Sequence, residues 1–274
     1  MSESALKETR IAFVGSGTMA EAMIRAVLRS GDETPDQIVA SGPRPRRAQE
    51  LKDRYGIAAT TDNKVAVDGA DIVVLSVKPQ VLPSVMSELK GAISPQALVF
   101  SIVAGMPISV MRAGLGHRAI VRSMPNTPAQ LGEGMTVWTA STDVSEDQRS
   151  QARTLLQAMG SEMYVTNEGS LDMATAVSGT GPTYVFLLME ALVDAAVHLG
   201  FSRRQARELV IQTVLGSALY AKESELHLAQ LRNQVTSPGG TSAEAVYQLE
   251  KGSLRTVLSK AIWAAYKKSR LLGE

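Results

Sequence analysis

Cysteine is absent from the 274 residues, which excludes disulfides, thiolate nucleophiles and cysteine-bound zinc. Histidine is scarce. His117, His198 and His227 stand far apart with no metal-ligand spacing, so no metal is expected. Net charge is nearly missing as well. Twenty-eight basic residues against 27 acidic ones leave +1, too little for a long-range field toward nucleic acid or anionic lipid. Neither partner is expected. A clean membrane-length apolar run is also wanting. The most apolar stretch, TYVFLLMEALVDAAVHLG (183–200), carries Glu190 and Asp194 and reads as a buried helix. The N-terminal MSESALKETR is too polar and charged for a signal peptide. A soluble, cytoplasmic protein is expected.

What is present is globular: 45% hydrophobic and 20% charged residues, with length for one large domain or two ordinary ones. From 10 to 140, short apolar strands alternate with helical stretches. The strands are RIAFVG (10–15), QIVAS (37–41), GIAAT (56–60), DIVVLSV (71–77), ALVFSIV (97–103) and AIVRSM (119–124). This alternation gives βαβ units and a mainly parallel sheet. GMTVWTA (134–140) and EMYVT (162–166) add two strands. Between them lies a helix over 145–160, with Ser145 as N-cap and Gly160 as its stop.

Beyond 167 the pattern is helical to the end, broken at SGTGP (178–182), LGFS (199–202) and TSPGG (236–240). We therefore divide the chain into 1–165 and 166–274. The apolar residues of 183–200, including Tyr184, Phe186, Leu187, Leu192 and Val197, cannot share one stripe. Such a helix needs cover on every side. A domain of this size cannot supply it alone, which points to an intimate oligomer.

VGSGTMAEA (14–22) follows the first strand and opens the first helix. Gly15 permits a tight turn, Gly17 lets a pyrophosphate approach the backbone, and Ala20 keeps helix and strand close. An ordinary βα turn explains the same glycines. After the second strand, IVASGPRPRR (38–47) lacks the carboxylate that holds the ribose of NAD. Ser41, Arg44, Arg46 and Arg47 stand where a 2′-phosphate would sit, and the arginine fork suits phosphate. NADPH is thus favoured over NADH. A solvated basic turn is the alternative. SVKPQ (76–80) ends another strand at the ligand edge. Lys78 is well placed there, while Pro79 can simply start a helix. RSMPNTP (122–128) reads as an extended loop at the same rim.

In the helical half, SGTGP and TSPGGTS (236–242) are the only glycine-rich hydroxyl loops, and each precedes a helix. Such loops offer N–H groups to a carboxylate. Ser178 and Ser237 have no histidine nearby in sequence and no G-x-S-x-G elbow, which argues against a hydrolase.

VGSGTMAEA, SVKP, RSMPNTPA, SGTGPTYVF and VTSPGGTSAEAVYQLE occur in an order and spacing that resemble the pyrroline-5-carboxylate reductases over nearly the whole chain. The resemblance implies a Rossmann-like α/β domain, with a mainly parallel sheet, followed by an all-helical dimerisation domain. Two subunits would interlock, and dimers would assemble into rings. It implies reduction of Δ1-pyrroline-5-carboxylate to L-proline with NADPH or NADH. It places Val14, Gly15, Gly17, Thr18, Met19, Asn63, Val77, Lys78, Pro79, Val103 and Ala104 on the dinucleotide, beside Ser41 and Arg44. It places Glu168, Thr175 and Ser237, Pro238, Gly239, Gly240, Thr241 on substrate. Ser242 would be the catalytic hydroxyl at the ring nitrogen, although a first-turn carboxylate satisfying a helix dipole equally explains Glu168.

There are departures. Ser242 replaces the usual threonine, and HLAQLRN (227–233) lacks the family's Pro-Gly. Gly42 stands where a polar side chain often meets the 2′-phosphate. Two rivals fare less well. A β-hydroxyacid dehydrogenase would carry a helical lysine in a G-x-x-x-K-x-x-N setting, and no such lysine follows SGTGP. A non-catalytic NADPH sensor would have no need of TSPGGTS.

Overall fold

The computed structural model describes residues 5–31 and 34–271. The first four residues of the polar N-terminal stretch lie outside that range. The chain runs β1 (Ile11–Val14), α1 (Thr18–Ser30), β2 (Ile38–Ser41), α2 (Pro45–Tyr55), β3 (Ala58–Thr60), α3 (Asn63–Val67), β4 (Ile72–Leu75), α4 (Leu82–Leu89), β5 (Leu98–Ser101), α5 (Ile108–Leu115), β6 (Ile120–Met124), β7 (Gly134–Ala140), α6 (Glu146–Gln157) and β8 (Gly160–Tyr164). Then come α7 (Ser170–Ala174), α8 (Gly181–His198), α9 (Arg203–Glu223), α10 (Leu228–Gln234), α11 (Thr241–Lys251) and α12 (Leu254–Leu271). The described residues up to Thr180, with those from Ala265 on, form one compact unit, and Gly181–Ala264 form a second.

The eight strands lie in the order β3-β2-β1-β4-β5-β6-β7-β8. All neighbours are parallel except β6 and β7. β1, β4 and β5 are buried at every residue, as a parallel sheet sandwiched by helices requires. Alternate strand residues feed two cores. Phe13, Val74, Phe100 and Trp138 pack with Met23, Ile24 and Leu155. Val14, Leu75, Val99 and Ile120 pack with Leu82, Met86 and Met111 on the other face. The order reverses between β1 and β4, which opens a crevice at their carboxyl ends.

α6 begins as the sequence implies. Ser145 accepts from the Gln148 amide while the Gln148 side chain bonds back to Ser145 N, a reciprocal cap. Gly160 does not stop that helix, which ends at Gln157. It opens β8 instead, with φ +135°, opposite Gly134. A Cβ there would collide with the Gly134 carbonyl.

In the second unit, α8 spans 181–198 and packs along α9. Ser202 caps α9 and His227 caps α10. Within one chain α8 buries none of its residues; Phe186 is 61% and Leu187 65% exposed.

Glu21 ties α1 to α2. It accepts from Arg47, from Arg54 Nη1 at 2.5 Å and from Tyr55 at 2.8 Å. Burial pushes its pKa up, but the three donors outweigh this and hold it at about 2, against an ordinary 4.5. A depressed carboxylate stabilises the fold above its unfolded pKa, and the gain vanishes as pH falls through the folded value. Glu21→Gln is therefore expected to cost about 2–3 kcal/mol at pH 7. The gap to wild type should shrink between pH 4.5 and 2 in urea titrations. A gap that stays constant across that window would refute the assignment.

Candidate functional site

Gly15 takes the turn after β1 at φ +102°, a value that favours glycine. Its N–H donates to Ser41 O at 3.0 Å, and Ser76 Oγ donates to Gly15 O at 2.7 Å. A Cβ on Gly15 would sit 2.7 Å from Ser76 O and 2.8 Å from Val77 Cγ1. The loop is thus bolted to the β4 end that carries Val77. Gly17 is the N-cap of α1 and no side chain caps the helix there. A Cβ on Gly17 would meet nothing within 4 Å. Val14 is buried behind this opening, Thr18 is exposed at its lip and Met19 turns toward the core. Bare N–H groups, a helix dipole and an open approach fit a pyrophosphate.

Ser41 is buried, and its hydroxyl donates to Asn63 Oδ1 at 2.7 Å. The Asn63 amide in turn donates to Glu88 at 2.8 Å. Two residues expected on the cofactor are therefore bonded to each other at the β2 end. The arginines separate by environment. Arg46 pairs with Glu50 on the exposed face of α2. Arg47 pairs with Glu21 and donates from Nε to Ser16 O at 3.0 Å, which commits it to bracing the glycine loop. Arg44, exposed at the N-cap of α2, has no ion pair among the described residues. Gly42 has a packing reason that the sequence did not reveal: a Cβ there would collide with Ser16 Oγ.

Lys78 is the exposed N-cap of a short 3-10 turn, Pro79–Val81, and Val77 packs inward. Val103 is buried past the β5 end, with Ala104 half-exposed beside it. Both groups stand at carboxyl ends of central strands, as expected. The 122–128 stretch is extended only in part. A 3-10 helix runs from Thr127 to Leu131.

Glu168 precedes α7, and its carboxylate is bonded to other elements. Its Oε1 accepts the Ile108 amide, the first of α5, at 2.7 Å, and Arg122 Nη1 at 2.9 Å. Arg122 Nη2 reaches Asp172 Oδ1 at 3.3 Å, and Ser269 donates to the same oxygen at 3.0 Å. Sequence reasoning missed Arg122 and Asp172. The signal was there: a lone cation inside the apolar strand AIVRSM must be paired if buried, and carboxylates at 168 and 172 have helical spacing. Thr175 opens a π-turn, Thr175–Gly179, and donates to Leu171 O at 2.7 Å. π-turns often mark functional positions.

In the second unit, Gly240 N donates to Ser237 O at 3.1 Å across Pro238 and Gly239, the latter at φ +72°. Proline second and a left-handed glycine third make a tight turn. Gly240 is the N-cap of α11 and no side chain caps it. The first-turn amides of Thr241 and Ser242 face that bare end, with Ser242 half-buried. A Cβ on Gly240 would press to 2.6 Å from Ser237 Oγ. Residues 237–242 thus lie together at one helix mouth whose first amides have no side-chain cap.

Residues 168–272 match the pyrroline-5-carboxylate reductase dimerisation family, and residues 10–105 match the NADP oxidoreductase, coenzyme F420-dependent family. The pyrroline-5-carboxylate reductase of Pseudomonas aeruginosa is 42% identical, over 97% of both chains. The chain belongs to the pyrroline-5-carboxylate reductase family. A solved pyrroline-5-carboxylate reductase from Coxiella burnetii superposes with a TM-score of 0.90 at 37% identity, covering 98% of this chain and 100% of that one. A Plasmodium falciparum pyrroline carboxylate reductase, solved with NADP bound, gives 0.89 at 31%, covering 97% and 98%. In this reductase chain the α8 face left bare falls inside the dimerisation match.

The two cradle glycines make a paired test. Gly15→Ala strains φ and drives a Cβ into Ser76, so a loss of roughly 2 kcal/mol or more is expected. Gly17→Ala meets open space and should cost less than about 1 kcal/mol. Equal midpoints in chemical denaturation would show that the Gly15 turn relaxes.

Proposed function

We propose that this chain reduces Δ1-pyrroline-5-carboxylate to L-proline with NADPH, or with NADH, as the last step of proline biosynthesis. The observation that carries this is the bare, glycine-led N-termini of two long helices, α1 at Gly17 and α11 at Gly240, in a chain of this family. One suits a dinucleotide pyrophosphate and the other a small carboxylate.

Val14, Gly15, Gly17, Thr18 and Met19 hold the dinucleotide, with Asn63, Val77, Lys78, Pro79, Val103 and Ala104 along the strand ends. Arg44, with no ion pair among the described residues, supplies charge for a 2′-phosphate, which favours NADPH. Ser41 acts by holding the Asn63 amide. A reduced nicotinamide held there would supply the hydride for the ring carbon of the imine, whose nitrogen would take a proton. The chain supplies orientation. Ser237 to Thr241 fix the substrate carboxylate. Ser242 orients the ring nitrogen and passes a proton from water, since a serine hydroxyl is too weak an acid to be the sole source. Glu168 Oε1 is spent on Arg122 and Ile108, so its charge is already largely matched. Its remaining oxygen and Thr175 face the substrate.

By role, residues 1–165 serve the dinucleotide and 166–274 serve substrate and dimerisation. The assembly is a homo-oligomer of interlocked dimers, joined into a ring, in the cytoplasm. The run Ser170–His198 is long and apolar enough to cross a bilayer by length and composition. Glu190 and Asp194 within it and the dimerisation match favour a second copy as its cover, with no membrane and no nucleic acid as partner.

Purified protein should oxidise NADPH faster than NADH in the presence of Δ1-pyrroline-5-carboxylate, and a six-membered homologue should be a poorer substrate. Ser242→Ala should lower kcat/KM by roughly 10–1000-fold, about 1.4–4 kcal/mol. Turnover that is absent with either cofactor, despite NADPH binding, would sink the reductase reading. An unchanged kcat/KM in the variant would remove only Ser242. The interlock has its own test. Leu187→Glu places a charge on the bare α8 face, and light scattering should then report a smaller species than wild type. An unchanged mass would place that face outside the subunit contact.

A further inference from the structure

The π-turn at Thr175–Gly179 is held from the sheet by two side chains to which neither the sequence pattern nor the mechanism above gives a part. Arg122, on β6, has a side chain only 5% exposed and forks to Glu168 and Asp172, which bracket the start of α7. Asn126, just past β6, accepts the Met135 amide at 2.9 Å and donates to Ser178 O at 3.1 Å. Both ends of its amide are thus assigned by their partners. Inside the turn, Thr175 O receives both the Thr180 amide and the Thr180 hydroxyl at 2.8 Å. Thr175 Oγ1 spends its proton on Leu171 O, and Ser178 Oγ spends its own on Ala174 O at 3.0 Å. Toward any ligand, both hydroxyl oxygens are acceptors only.

We propose that Arg122 and Asn126 are positioning residues that lock this π-turn so that Thr175 presents a hydroxyl acceptor to the protonated imine. The inference rests on the reductase reading and deepens it. A π-turn holds one residue more than an α-turn, so it persists only where the surroundings over-determine it. Asn126 catches a carbonyl inside the widened turn, and Arg122 pins the chain leading into it. If the turn relaxed to α geometry, the Thr175 carbonyl would pass from the Thr180 amide and hydroxyl to the Gly179 amide, and the backbone that carries its hydroxyl would shift. An acceptor aimed at an iminium N–H favours the charged, more electrophilic form of the substrate.

The test compares Asn126→Ala, Asn126→Asp, Arg122→Lys and Arg122→Met with wild type. Four readouts are used: kcat, KM for Δ1-pyrroline-5-carboxylate, Kd for NADPH, and amide hydrogen exchange over 175–180. Asn126→Ala should lower kcat at least 10-fold, leave NADPH Kd within about twofold and speed exchange over 175–180. Asn126→Asp should do no better, because a carboxylate would face the Ser178 carbonyl. Arg122→Lys, which keeps the charge and loses the fork, should fall between wild type and Arg122→Met. If Arg122→Met fails to fold, the two Asn126 variants decide. A kcat within twofold of wild type in Asn126→Ala overturns the proposal. So does a loss in which NADPH affinity and thermal midpoint fall in step with kcat. Wild-type protein without turnover would fail the reductase reading alone. The lock is then judged by exchange, and unchanged protection over 175–180 in Asn126→Ala overturns it.

Discussion

A guanidinium buried under the sheet organises much of the first unit. Arg122 is 4% exposed, and a buried cation without partners costs several kcal/mol. Its partners come from 46 and 50 residues further along the chain. Ser269, 97 residues beyond Asp172, completes the set. One charge thereby fixes where the chain leaves the sheet, where α7 begins and where the last turns of α12 return. Glu168 also satisfies the first amide of α5. Ion pairing, helix capping and chain path are settled by the same few atoms.

Glycines impose the second constraint, and at two places it is steric. Gly15 passes so close to Ser76 that no side chain fits, which joins the loop after β1 to the end of β4. Gly160 passes the Gly134 backbone in the same way, which lets β8 close the sheet edge. Gly17 and Gly240 work differently. They are bare caps, and leaving amides unsatisfied costs stability unless something else meets them. Both mouths leave first-turn amides without a side-chain acceptor, the arrangement that suits an anion.

The electrostatics around the first glycine loop sort arginines that look alike on paper. Arg47 is drawn inward by Glu21 and the Ser16 carbonyl, and Glu21 is held ionised to about pH 2. Arg46 lies along α2. What remains for a ligand is Arg44. Neighbouring positions in one basic run thus have a brace, a surface pair and an unpaired cation among the described residues.

Much of this was legible in the amino-acid order. Apolar strands with period-two sides, the G-x-G-x-x-A turn, the Ser145 cap and the bare α11 mouth all follow from local rules: steric freedom at glycine, hydrogen-bond needs at helix ends, burial of apolar faces. The all-round apolar character of 183–200 likewise announced a missing cover. The tertiary structure decided what depends on residues far apart. Gly160 reads as a helix stop until its strand partner is known. Glu168 reads as a carboxylate of its own helix alone until Arg122 and the first amide of α5 stand beside it. Ser41 points to Asn63, and Asn126 reaches a π-turn that no pattern in the sequence announces. Local rules govern the backbone within a few residues, whereas the partner of a buried charge or amide is chosen by packing, which only the folded chain brings together.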